Sequence, residues 1–173
     1  MSYIDRFVVA NNLRQGDAIL LKKKIVGMFD HFAVYLGRDR KTNQPIFAAN
    51  SMNGVSLIKA DEANDFLQKL VPEKIERFKG SNEKRKQAVQ RALSKQGERG
   101  YNLIFNNCEH YKNFVQYGKK HSKQVDYAGN VALIAGGAAV VGGLAAKNDN
   151  VAIAGLVGLA LGAILKIAGD QEE

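Results

Sequence analysis

Apolar and polar positions alternate with a strand-like period in the first third of the chain and pass to a helical period further on. Residues 18–21 (AILL) form a short apolar run that ends in three lysines and predict a strand. HFAVYLG at 31–37 is rich in β-branched and aromatic residues, stops at a glycine and is followed by a polar turn over 38–44, so it is the most strand-like piece. Residues 45–49 and 55–58 read as two more strands around Asn53-Gly54, a hairpin signal because both residues tolerate positive φ. A further strand is expected at 75–78. Residues 82–95 then carry Ala88, Val89, Ala92 and Leu93 on one face with charges elsewhere, an amphipathic helix ended by Gly97 and Gly100. A second helix is predicted from Cys108, with Asn107 as its N-cap, Tyr111, Phe114 and Val115 as its apolar face and Gly118 as its stop. Residues 1–6 lack the apolar region of a secretory signal and 7–10 are too short for one, so the N-terminus is expected to belong to the fold.

Beyond residue 130 the polar positions disappear. Residues 131–146 (VALIAGGAAVVGGLAA) and 151–165 (VAIAGLVGLALGAIL) carry no charge and are separated by the polar turn KNDN at 147–150. As helices they would be roughly 24 and 23 Å long, short of the ~30 Å hydrocarbon core of a bilayer. Gly136, Gly137, Gly142, Gly143, Gly155, Gly158 and Gly162 permit close helix approach, and Gly158-x-x-x-Gly162 is a small-xxx-small word. A soluble helix pair would need polar faces that are missing here. The expectation is a Gly/Ala-rich helical hairpin, inserted into a membrane or re-entrant. The fold class expected overall is α+β, a small antiparallel sheet packed on helices over residues 1–125, followed by a membrane-associated tail over 126–173.

Composition narrows the partners. With 173 residues, 46% hydrophobic and 24% charged, the chain suits one globular domain and an appendage. Its net charge is +8, but only Lys147 and Lys166 are basic beyond Val131, so the basic and apolar parts are separate. The lysines at 22–24, 84–86 and 119–123 are scattered without interleaved aromatics, and no nucleic-acid partner is expected. Cys108 is the single cysteine, which excludes an intrachain disulfide and suits a reducing compartment on the cytoplasmic side. No cofactor and no metal is expected.

Cys108 is the candidate nucleophile, because the first turn of a helix offers N–H groups and a dipole that lower a thiol pKa. Of the three histidines, His110 lies about 200° round the helix from Cys108 and is expected to be a structural hydrogen-bond donor. His121 sits among lysines and is expected to be solvated. His31, on the best strand, remains as the base, with a polar residue on the adjacent strand needed to orient its imidazole.

In order along the chain, Gly16-Asp17-Ala-Ile, DHFAVYLG at 30–37 and YNLIFNNCEHYKNFVQYG at 101–118 resemble the lecithin:retinol acyltransferase family, including the HRAS-like suppressor phospholipase A/acyltransferases. The resemblance covers about residues 13–118, and the apolar tail is similar to the membrane anchor that members commonly carry. It implies a permuted papain-like fold of the NlpC type and lipid chemistry through a Cys acyl-thioester. Cys108 then matches the nucleophile, His31 the base, and His110 a motif histidine that is not the principal base. The third position departs from the family pattern, since animal members place a second histidine on the next strand and this chain has none between His31 and His110. Asn50 is the expected substitute, because its side-chain carbonyl can orient an imidazole; Gln44, Asn43 and Asn53 are rivals. The implied activity is phospholipid hydrolysis or acyl transfer, with a phospholipid or other acyl ester as substrate. Residues 131–169 would engage the membrane, and Lys119, Lys120 and Lys123 would meet anionic headgroups. The alternatives are an NlpC-type cysteine amidase or peptidase and a catalytically silent membrane-binding module.

Overall fold

Strands drawn from residues 18–76 build a five-stranded antiparallel sheet in the computed structural model, which describes residues 2–23, 31–59, 61–64, 70–102 and 106–171. Lys24, Asp30 and residues 103–105 of the sequence motifs lie outside the described residues. Strands β1 (Ala18–Lys23), β2 (His31–Arg38), β3 (Pro45–Ser51), β4 (Gly54–Ile58) and β5 (Leu70–Glu76) are ordered β4-β3-β2-β1-β5. The fifth strand starts and ends earlier than the expected 75–78. It is an edge strand, and Pro72 sits opposite Leu21 at a shift of register, where a missing N–H is tolerated.

Helices cover both faces, because both sets of alternating side chains are apolar. Helix α1 (Tyr3–Ala10), which the hydrophobic pattern did not reveal, is capped by Ser2 and packs Ile4 and Val8 against Ile19, Leu21, Ala33, Tyr35 and Phe47. On the other face α2 (Asn82–Ser94) and α3 (Cys108–Tyr117) bring Ala88, Ala92, Cys108, Tyr111 and Val115 onto Ala18, Phe32, Val34 and Ala48. The two helices are tied together where their ends need partners. Arg91 donates to the terminal carbonyls of Val115 and Gln116, both at 2.9 Å, and Tyr111 Oη donates to Ala92 O at 3.2 Å.

Asp17, beside the Gly16 turn, is buried and accepts from Arg85 Nη1 and Arg77 Nη1, both at 3.0 Å, and from the backbone of Phe78 and Arg14. That one carboxylate joins the start of β1 to the end of β5 and to α2.

The chain divides into two compact units, residues 1–119 and 120–173. In the second, α4 (Lys123–Ala145) and α5 (Asp149–Gly169) form an antiparallel hairpin closed at its base by the pair β6 (Lys120–His121) and β7 (Asp170–Gln171). The helices have 23 and 21 residues, so they are roughly 34 and 31 Å long rather than 24 and 23 Å. Their polar ends remain helical because Ser122 caps α4 and Lys166 pairs with Asp126 across the two helices. His121 is not a solitary solvated residue: its Nδ1 lies 3.7 Å from Asp170 Oδ1 at the hairpin base.

Candidate active site

Asn107 sets the geometry. Its side-chain oxygen accepts from Glu109 N at 2.9 Å and His110 N at 3.0 Å, which starts α3 at Cys108 and leaves the thiol on the helix's first residue. His110 completes a capping box: its Nδ1 accepts from Asn107 N at 3.4 Å. It is therefore an acceptor at this nitrogen. An imidazole that accepts at Nδ1 carries its proton at Nε2, and His110 is fully buried in that role.

The start of α3 enters the sheet where two strands part. Pairing between β2 and β3 ends at Val34↔Ala48, although β3 continues beside β4 as far as Ser51↔Gly54. In β2, Tyr35 turns its backbone groups toward β1, bonding Asp17 O and Gly16 N at 2.8 Å, so Phe32, an odd number of residues earlier and therefore in the opposite phase, turns its N–H toward the gap. That N–H meets the Cys108 thiol.

Asn50, on the β3 side of the same gap, is 1% exposed and donates through Nδ2 to Asn106 O at 3.1 Å and Asn106 Oδ1 at 3.3 Å. Asn106 is itself fixed by reciprocal backbone hydrogen bonds with Asn102, at 3.0 and 3.1 Å. The Asn50 side-chain oxygen is buried and has no hydrogen-bond partner among the described residues. Asn50 is thus held to the segment that leads into Cys108. Among the rivals, Asn43 lies in the β2–β3 turn, where its carbonyl accepts from Arg38 at 2.6 Å, and Gln44 is exposed in the same turn. Asn53 is exposed in the β3–β4 turn.

His31 is the first residue of β2 and immediately precedes the residue whose N–H meets the sulfur. Its side chain is half-buried. The pleat sends Phe32, Val34 and Leu36 toward Cys108, and Ala33 and Tyr35 toward α1. By parity His31 belongs with Ala33 rather than with Phe32.

Burial governs the thiol. Cys108 is 1% exposed, and desolvation pushes its pKa up to about 11, with the Glu109 charge acting in the same direction. The N–H groups of Phe32, Cys108 and Glu109 oppose that rise without cancelling it. The helix start therefore lowers the thiol pKa, but by less than burial raises it, because removal from water outweighs a few oriented N–H groups. Tyr101 feels the charge at Cys108, and burial pushes its phenol up to about 12.

Two further elements of the site were invisible in the one-dimensional pattern. Lys112, one turn beyond Cys108, is buried; its Nζ lies 2.7 Å from Glu76 Oε2 and 4.6 Å from the Phe32 ring centroid. This holds the residue whose backbone faces the sulfur. The Phe32 N–H itself could have been found only from strand pairing, by following β2 past the end of its ladder with β3.

Over residues 11–121 the chain matches the family model described as Lecithin retinol acyltransferase. No curated protein matches it.

Proposed function

The chain belongs to the lecithin retinol acyltransferase family, and from that membership we propose a thiol-dependent phospholipid hydrolase or acyltransferase that works through a Cys108 thioester at a membrane surface. In this reading residues 1–125 are the catalytic domain, of the permuted papain-like NlpC type and close to the HRAS-like suppressor enzymes. Residues 126–173 hold it at the cytoplasmic side of a membrane.

The carrying observation is the parting of β2 and β3, where the thiol at the start of α3 meets the Phe32 N–H and where Asn50, on the neighbouring strand, holds a buried side-chain oxygen with no hydrogen-bond partner among the described residues. A buried acceptor without a donor is costly, and an imidazole N–H from His31 is the group that would satisfy it. A thiol with a pKa of about 11 is protonated at neutral pH, so the attack needs a base rather than a stored thiolate. His31 takes the Cys108 proton while the sulfur attacks the ester carbonyl of a glycerophospholipid. Backbone N–H groups at the start of α3 hold the oxyanion. As the tetrahedral intermediate collapses, the ester C–O bond breaks, the imidazolium returns its proton to the departing lyso-lipid oxygen, and the acyl group stays on sulfur. Water then releases a fatty acid, or an amine or lyso-lipid hydroxyl takes the acyl chain, and the thiol is restored.

The test is intact mass of the full-length protein after incubation with phospholipid vesicles, beside Cys108→Ala and His31→Ala. A hydroxylamine-labile increase of one acyl chain, absent in Cys108→Ala and reduced in His31→Ala, is expected. A second reading, a catalytically silent membrane-binding module, is favoured by the burial of the thiol. It becomes the better one if folded protein gives neither adduct nor fatty acid. An adduct with a peptide ester alone would point to the amidase.

A further inference from the structure

The second unit is packed inside out. Along α4 the buried glycines are Gly129, Gly136 and Gly143, and along α5 they are Gly155, Gly162 and Gly169, each set spaced by seven residues. They let the backbones touch: a Cβ on Gly136 would stand 2.6 Å from Leu159 N, and one on Gly143 would stand 2.4 Å from Ala152 N. The large apolar side chains point the other way, with Ile134, Val141, Leu144, Leu156, Val157 and Ile164 all substantially exposed. In water such a hairpin would bury its smallest residues and expose its largest. In hydrocarbon the arrangement is the favourable one, since lipid solvates the side chains and close backbone packing holds the helices together.

Charge is confined to the two ends. Residues 127–146 and 150–165 carry none. At the base stand Lys119, Lys120, Lys123 and the Asp126–Lys166 pair; at the tip stand Lys147 and Asp149 with Asn148 and Asn150. The tip's backbone is internally satisfied, with Asn148 N donating to Gly143 O at 2.8 Å and the Asn148 side chain capping Val151 N at 3.3 Å.

From this we infer that the hairpin crosses a bilayer twice, with the base, and hence the chain leading to residue 119, on one side and the 147–150 turn exposed on the other. The inference rests on the membrane reading of the tail and extends it. A re-entrant hairpin would leave Lys147 and Asp149 in hydrocarbon, where charged groups are expensive. A hairpin lying in the interface would need a polar face, and residues 151–165 have no polar side chain at all. Helices of 23 and 21 residues match the ~30 Å of hydrocarbon that a crossing must span. The lysines set the orientation, since Lys119, Lys120, Lys123 and Lys166 at the base outweigh Lys147 at the tip, which puts the base on the cytoplasmic face.

Three single-cysteine reporters test this in the full chain, each made on Cys108→Ala so that no native thiol reports: Lys123→Cys at the base, Asn150→Cys at the tip and Val141→Cys between them. Membranes from expressing cells are prepared as sealed inside-out and right-side-out vesicles and treated with a membrane-impermeant maleimide. Lys123→Cys is expected to label only in the inside-out vesicles and Asn150→Cys only in the right-side-out ones, with Val141→Cys labelling in neither until detergent is added. Base and tip labelling in the same preparation, or Val141→Cys labelling in intact vesicles, overturns the double crossing. Alkaline extraction of the same membranes separates the two levels: protein released to the supernatant overturns the membrane reading itself, whereas retained protein with same-side labelling overturns the topology alone.

Discussion

Cys108 has two opposing properties, a place at the start of a helix and almost complete burial. The second dominates, and the consequence is measurable. Because the thiol titrates near 11 rather than at its ordinary value of 9.0, the folded protein without lipid should hold about 100-fold less thiolate at neutral pH than an exposed cysteine. Alkylation by iodoacetamide, followed by mass spectrometry against pH, should rise with a midpoint near 11; a midpoint near 7 would mean that the thiol is already paired with a base. Asn50 is the complementary case. Its Nδ2 is held by Asn106 while its oxygen is buried with no hydrogen-bond partner among the described residues, so on the proposed mechanism Asn50→Ala should leave the fold intact and lower turnover roughly 100-fold by removing the group that orients the imidazole. The acidic limb of the pH–rate profile should move as well, which loss of packing alone would not produce. Sequence reading singled out Asn50 as a polar residue ending a strand. It had no means of finding the Phe32 N–H, which belongs to a backbone whose direction follows from strand pairing.

Among the elements, α3 and its cap were legible because an N-cap asparagine and a terminal glycine act within one turn of their own positions; Gly118 has the left-handed φ of 75° that a helix stop requires. Helix α1 was not, since eight residues are too few to establish a helical period and its stability comes from packing on the sheet. The hairpin helices were underestimated because their polar first and last turns read as linkers, until the Asp126–Lys166 pair and the β6–β7 pair joined them across the chain. The glycine content was plain, but which glycines face the partner helix was not. That distinction predicts opposite outcomes for adjacent residues. Gly143→Ala places a methyl 2.4 Å from Ala152 N and should destabilise the hairpin by about 1–3 kcal/mol, as overpacking does. Gly142→Ala meets nothing and should be neutral or stabilising by up to about 1 kcal/mol through helix propensity. Thermal unfolding followed by circular dichroism in detergent compares them.

At the scale of the whole molecule, Asp17 ties distant segments to one carboxylate. Burial pushes its pKa up, but hydrogen bonds from Arg14 N, Arg85, Phe78 N and Arg77 outweigh it, so the carboxyl titrates below the ordinary range. A lowered carboxylate pKa stabilises the fold above the unfolded value of about 3.9, and that contribution disappears as pH falls through the folded value. Asp17→Asn would leave the Arg85 side chain, 9% exposed, without its counter-charge, at a cost of about 3–5 kcal/mol. Urea unfolding at pH 7 should register that loss, and the variant should also lose part of the wild type's steep weakening below pH 4. An equal pH dependence in both proteins would remove Asp17 from the account.

The sequence by itself determined the α+β class, the strands around Asn53-Gly54, the capped helix that begins at Cys108 and the apolar tail, because these depend on periodicity and on capping within a few residues. It also carried the motifs by which the family was recognised. Only the tertiary structure decided that β2 and β3 part beside Cys108, that Phe32 and Asn50 line the gap, that burial raises the thiol pKa and that the hairpin turns its glycines inward. Each of these depends on which distant segments share a space. Desolvation, strand divergence and helix contact are properties of neighbours in three dimensions, and spacing along the chain does not encode them.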